Sequence, residues 1–382
     1  MGVSATPDLA IRRVSGVRSL DDAQWRRLAL ADRDFYASPK WLAAQEEFSG
    51  RPQHMLVAVE NDEVVAVMPY SAPDHEFNQY YEPRALWGDG APAASGLLHL
   101  GVGRGYYNRV LMTGAQGGER TAVTVALAAE SDRLARETGR SVVAQYLREE
   151  EVDEVVTLLG GGAVTVVPVA LNAVIRLTGG NFDDYLNGFG ARKSRRGQIR
   201  HERRVFAEAG YQLGQESLWD CHRELAPLAV QLQHRHGQSA SVEATERLLA
   251  SQANHLDGVV FTCRLGRNLV AFALAYPWHD ALYVRMAGFD YPRLVGAFEY
   301  FNLTTYLPID YAYRNGLREI HLGMESYRGK LLRRAELEPL VTVFAAGSVP
   351  DPDRLRAMAW QRVRTWEDQV PDPAGLFRPR GG

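Results

Sequence analysis

Cysteine is scarce in this chain. Two in 382 residues, Cys221 and Cys263, allow neither a disulfide framework nor a four-cysteine zinc site. The first 14 residues, MGVSATPDLAIRRV, lack the apolar centre of a secretory signal, and no run of 18 apolar residues is present to span a bilayer. The opening MGVSAT fits a myristoylation pattern in form, but firm anchoring takes two signals and no second one is visible. These absences predict a cytoplasmic protein without stable membrane insertion. No Ser/His/Asp order and no Cys/His pair stands out. His234 and His236 have metal-like chemistry, yet at i,i+2 on a helix they point apart, so no metal is expected. Gly101-Val102-Gly103-Arg104-Gly105 lacks the third spaced glycine and the acidic partner of a dinucleotide fingerprint.

A composition of 46% hydrophobic and 23% charged residues is that of a globular protein, and the length suits two cores. Net charge is -3, which makes one stretch unusual. Arg192, Lys193, Arg195, Arg196, Arg200, Arg203 and Arg204 crowd seven cations into thirteen positions, opposed there only by Glu202. Asn181 caps a short helix with Asp183 and Asp184 in its first turn. After Gly188 and Gly190 a second, basic helix is predicted over 192–209, ending at Gly210, with Ile199 and Phe206 as its sparse apolar line. Like charges at i,i+4, such as Arg192/Arg196 and Arg196/Arg200, oppose helix formation. An anionic partner accounts for them. So does a solvated face neutralised by acids elsewhere, for which Glu119, Glu149, Glu150, Glu151 and Glu154 are available.

In order, the pattern predicts a strand at 9–14, a helix at 20–30, and a helix begun by Ser38 as cap and Pro39 at its first position. A hairpin (55–60 and 64–70) turns at Asn61-Asp62, and helix 119–138 and strands 141–147 and 163–177 follow. The second half has strand 211–216, helices 218–234 and 242–253, and a hairpin at 259–264 and 269–276. It continues with strand 281–287, a long helix at 295–315, and strands 317–322 and 340–344. A helix at 354–367 and a loose Pro/Gly/Arg end complete the chain. The two hairpins are alike in strand length, polar turn and terminal Tyr, and this repetition suggests two α/β domains of similar architecture. The predicted boundaries are 1–177, 178–348 and a carboxy-terminal helix and tail, 349–382.

Residues 182–210, FDDYLNGFGARKSRRGQIRHERRVFAEAG, resemble a stretch of the Fem-type peptidoglycan-biosynthesis proteins within the GNAT acyltransferase superfamily. VVFTCRLGRNLVAFALAYPWHDALYVRMAGFD and GAFEYFNLTTYLPIDYAYRNGLREIHLGMESYRGKLLRRAELEP are similar to the same group's second domain, and FYASPKWLAAQEEF to its entry segment. The resemblance implies tandem GNAT-like domains, α/β in class (α+β), each a mixed central sheet flanked by helices. It also implies transfer of an acyl or aminoacyl group to an amine. One departure concerns substrate choice: where the similar branch has a Gly-Ala-Gln-Gly-Glu-His-Lys run and then Arg-Gly-Phe, this chain has Gly323 to Lys330 (GMESYRGK) and then Arg333-Arg334.

GNAT enzymes that use CoA hold its pyrophosphate on backbone N–H groups of a glycine-rich turn after the fourth strand. The corresponding Gly288 to Gly296 (GFDYPRLVG) is a poor cradle. With the basic helix, this favours aminoacyl-tRNA as co-substrate, as in Fem-type proteins, and no other cofactor; acyl-CoA is the alternative. Candidate catalytic groups are Glu299 and Glu325, carboxylates beside Tyr300 and Tyr327, and Arg285, inside an otherwise apolar strand. Donor or phosphate contacts are assigned to Lys193, Arg196, Arg200, Arg203, Arg204, Lys330 and Arg334. By resemblance, Arg104, Tyr106, Tyr107 and Asn108 are acceptor candidates. The function expected is amide formation on a small or cell-wall-precursor amine. A CoA-dependent N-acyltransferase and a non-catalytic RNA- or phosphosugar-binding protein remain as alternatives.

Overall fold

The structure, a computed structural model, describes residues 9–31, 34–76 and 78–378. The MGVSAT leader and the last residues of the tail lie outside the described residues. The chain divides into two compact units, Met1–Leu171 with Glu338–Gly382, and Asn172–Leu337.

The first unit contains β1 (Leu9–Ser15), β2 (His54–Glu60), β3 (Glu63–Ser71), β4 (Leu97–Leu100), β5 (Met112–Thr113) and β6 (Ser141–Arg148). Strand β7 (Thr165–Arg176) begins in the first unit and ends in the second. The second unit continues with β8 (Gln212–Ser217), β9 (Val259–Leu265), β10 (Asn268–Trp278), β11 (Ala281–Phe289) and β12 (Glu319–Gly323), and β13 (Glu336–Phe344) returns to the first.

Strands β1 to β4 pair antiparallel in sequence order, β4 lies parallel to β6, and β13 pairs antiparallel with β6. Asn61 and Asp62 both take left-handed backbone at the β2–β3 turn, the conformation a tight hairpin requires. Leu56, Ala58, Ala66, Met68, Leu98 and Ala144 form the sheet side of one core. The helix Gly117–Thr138 covers it with Val123, Leu127 and Leu134, spaced for a single face. Ser38 caps the helix Pro39–Ser49 by accepting the Trp41 N–H. The carboxy-terminal segment differs from the sequence expectation. Residues 338–382 group with the first unit, because β13 adds to its sheet and the helix Pro352–Arg364 buries Leu355, Ala359 and Val363 there.

In the second unit β8, β9, β10 and β11 form an antiparallel run, β11 pairs parallel with β12, and β12 pairs antiparallel with the end of β7. Both units therefore have mixed sheets flanked by helices. The long helix differs from a uniform one: Glu299–Phe301 is α-helical, Asn302–Tyr306 is a π-turn, and Leu307–Arg314 is α-helical again. Such π-turns are uncommon and recur at functional sites.

Candidate active site

Strands β11 and β12 stay together for only three residues, 281–283 against 319–321. Past Tyr283 and His321 both strands run on without pairing to each other, which opens a fork in the sheet. At its root the Tyr283 and His321 rings stack in parallel, centroids 4.4 Å apart. Buried His321 lies between Asn172 (Nδ1 to Nδ2, 3.3 Å) and Glu319 (Nε2 to Oε2, 3.5 Å). Its interaction with His321, and then with Arg176, holds the Glu319 carboxyl below the ordinary range. Arg285 lies on β11 just beyond the fork, half-buried. Glu325 follows the end of β12, exposed and with left-handed backbone. Among the described residues no hydrogen bond or ion pair engages its carboxylate, whose charge acts on the nearby Lys330 ammonium.

Glu299 does something else. It is buried, and its Oε1 accepts from Tyr211 OH at 2.7 Å, the Gly296 N–H at 3.0 Å and the Val295 N–H at 3.2 Å. Burial pushes its pKa up, but the hydrogen bonds from Tyr211 and the turn amides outweigh this and leave it lowered. A carboxylate so engaged is a poor base, which corrects its assignment as a proton acceptor. Its place is informative: it occupies backbone amides in the turn between β11 and the long helix, where a CoA-using GNAT enzyme would hold pyrophosphate.

Lys330 is corrected on similar grounds. It is buried, and its Nζ donates to the carbonyls of Leu322 (2.8 Å), Gly323 (3.0 Å) and Met324 (2.7 Å). All three ammonium donors are therefore committed to shaping the end of β12, and none reaches a phosphate. Burial lowers its pKa to about 7. The unfolded lysine binds its proton up to about 10.4, so folding stability should rise with pH between about 7 and 10. Chemical denaturation across that window checks this, and Lys330→Met should flatten the rise. Arg334 donates to the Tyr185 carbonyl at 2.9 Å and lies near the Tyr185 and Phe189 rings, so it too is held within the fold.

The basic helix runs Lys193–Glu208 and buries Ile199, Glu202 and Phe206. Glu202 does not neutralise its neighbours. It turns inward and pairs with Arg333 at 2.6 Å, with the side chains 2% and 4% exposed. Tyr306 OH also donates to Glu202, Arg333 Nε donates to Tyr306 OH at 2.8 Å, and Arg333 Nη1 donates to the Gly329 carbonyl at 3.0 Å. This buried network joins the helix to the π-turn. On the opposite face Lys193, Arg196, Arg200 and Arg204 form a stripe at helical spacing. Arg200 meets exposed Asp183 at 3.3 Å and Arg204 meets exposed Glu208 at 3.1 Å, and pairs of this kind hold side chains only weakly. Lys193 and Arg196 have no side-chain partner among the described residues. Arg203 leaves the stripe, donating to Asp310 at 2.6 Å over the Phe182 ring. Glu151 and Glu154, acids considered as neutralising partners, are bound by Arg109 and Arg120, each at 2.6 Å.

In the first unit Arg104 makes two hydrogen bonds to Glu76, at 2.9 and 3.0 Å, and Tyr106 is half-buried against Tyr36. Tyr107 is buried beneath the Arg148 guanidinium. Asn108 is buried with its amide on the Leu100 carbonyl at 2.8 Å. The last two are core residues, which corrects their assignment as acceptor contacts. Sequence reasoning missed Tyr211, Glu202, Arg333 and His321 as site-building residues. The available signal was a polar residue at a position where the helical or strand pattern calls for an apolar one, as at Glu202 and His321.

Residues 193–331 match the family model of the acetyltransferase (GNAT) domain, and this part of the second unit is a GNAT domain. The fold over most of the chain is similar to that of FemX (TM-score 0.58, 10% identity, 89% of this chain and 99% of that one). It is also similar to L-PGS from Bacillus licheniformis (0.53, 10%, 88% and 96%). A third likeness is to the C-terminal domain of a putative lysylphosphatidylglycerol synthetase from Agrobacterium fabrum (0.52, 10%, 89% and 94%). The chain thus has a Fem-like GNAT fold. No curated protein sequence matches it. No helix among the described residues is long and apolar enough to cross a membrane.

Proposed function

We propose that this chain is an acyltransferase that moves an aminoacyl group from aminoacyl-tRNA to an amine, forming an amide. The observation that carries the choice of donor is the Glu299 carboxylate on the Val295 and Gly296 amides. A second anion there would face a fixed negative charge, so a pyrophosphate-anchored donor is disfavoured at this turn. The cationic stripe, anchored from behind by Glu202 and Arg333, supplies phosphate contacts instead. In this reading the neutral amine attacks the ester carbonyl at the fork and the carbon–nitrogen bond forms. Glu325 receives the amine proton, and the ribose oxygen leaves as the carbon–oxygen bond breaks and is reprotonated. Glu325 is the catalytic candidate, and Arg285, on β11 just past the residues paired with β12, is proposed to supply positive charge to the developing oxyanion.

One observation favours acyl-CoA as a second reading. The fork past Tyr283 and His321 is a gap in which an extended thioester arm could lie between strands. Salt dependence separates the two. With tRNA as ligand, Lys193→Gln with Arg196→Gln should lower the slope of log K against log salt by roughly 0.7 for each lost contact to a single-strand phosphate, about 1.4 in all. An unchanged slope, measured by filter binding, would remove the basic helix from the RNA interface.

A further inference from the structure

Three features of one face of the second unit have no internal explanation. Phe298 is 38% exposed, and its backbone is left-handed (φ 61°), a conformation aromatic residues rarely take. It is pinned there by Asn302, whose side-chain and backbone N–H groups donate to the Phe298 carbonyl at 3.0 and 3.2 Å. The ring is thus presented to solvent, with the His201 ring of the basic helix edge-on at 5.9 Å. Beside it runs the cationic stripe, in which Lys193 and Arg196 have no partner among the described residues. Within the stripe is Gly197, in mid-helix, where glycine is unfavourable. A Cβ at Gly197 would meet nothing within 4 Å, so internal packing does not require glycine.

We infer that Phe298, His201, Gly197 and the Lys193/Arg196/Arg200 stripe form a platform for the unpaired 3′ strand of an RNA donor. Phe298 stacks a base, the cations take successive phosphates, and Gly197 lets the sugar–phosphate chain approach the helix backbone. Arg196 and Arg200, four residues apart, are separated by about 6 Å along the axis, a reach suited to neighbouring phosphates. Strained, exposed side chains persist where function uses them, and base–aromatic stacking is indifferent to sequence. This inference rests on the reading of the donor as aminoacyl-tRNA.

The test is fluorescence anisotropy with two labelled RNA minihelices, one with a short single-stranded 3′ end and one blunt. The wild-type chain should prefer the overhang by roughly 5- to 100-fold, the range expected for stacking one base. Phe298→Asn, which removes the ring and suits left-handed backbone, should bind both forms alike, and Phe298→Trp should keep the preference. Gly197→Ala should raise the melting temperature yet weaken overhang binding, an opposition that a purely structural glycine would not produce. Equal binding of overhang and blunt forms by wild type, or an undiminished preference in a folded Phe298→Asn, would overturn the platform and leave the RNA-donor reading standing. No RNA binding by wild type would overturn both.

Discussion

Replacing Arg333 by methionine should cost about 3–5 kcal/mol of stability, because it leaves the Glu202 carboxylate buried without its counter-charge. Tyr306 OH and the Gln198 side chain would still donate to Glu202, but neither carries charge. Glu202→Leu should be comparably harmful, since it strands the guanidinium beneath the π-turn. The double variant Glu202→Leu/Arg333→Met should recover most of the loss, as apolar pairs of similar volume often do. Urea unfolding, followed in the transition that reports the second unit, measures all three. A single-variant loss below about 1 kcal/mol would show that the pair is open to water.

Glu299→Ala should be the next most damaging change. It removes the common acceptor of Tyr211 OH and the Val295 and Gly296 amides, a loss of about 1.5–3 kcal/mol, the worth of a hydrogen bond to a charged acceptor, because the Val295 N–H keeps Tyr211 OH at 2.9 Å and both turn residues are exposed to water. Glu299→Gln retains an acceptor oxygen and should lose less. The two also differ with pH. The folded carboxyl lies below its unfolded value of about 4.3, so its contribution is present above that value and is lost as pH falls through the folded pKa. The wild type should therefore lose stability on acidification more steeply than Glu299→Gln. Parallel profiles would mean that the carboxylate is not the anion the turn has closed around.

Much of the scaffold was legible from local pattern. The Asn61-Asp62 turn, the Ser38 cap, both hairpins and the basic helix follow from spacing and capping chemistry that act within a few residues. What the sequence concealed depends on distant partners. Glu202 reads as a solvated acid until Arg333, 131 residues away, gives it a buried counter-charge. Lys330 reads as a phosphate ligand until three carbonyls of the β12 end close around its amine. Glu299 stands out in the sequence as a carboxylate beside an aromatic residue, but the amides it binds belong to its own turn and no side-chain pattern displays them. Asn108 and Tyr107 show the converse: a polar, aromatic run that looks like a binding loop is largely core. The return of 338–382 to the first unit was invisible because β13 finds its partner, β6, nearly two hundred residues back.

The most direct test of the donor assignment is a transfer assay that supplies the purified chain with a labelled aminoacyl-tRNA pool and a panel of amines, run beside a panel of acyl-CoA thioesters. The expected result is an amide product that disappears when RNase is added first, with no turnover of the thioesters. RNase-insensitive product formed from acyl-CoA would contradict the account.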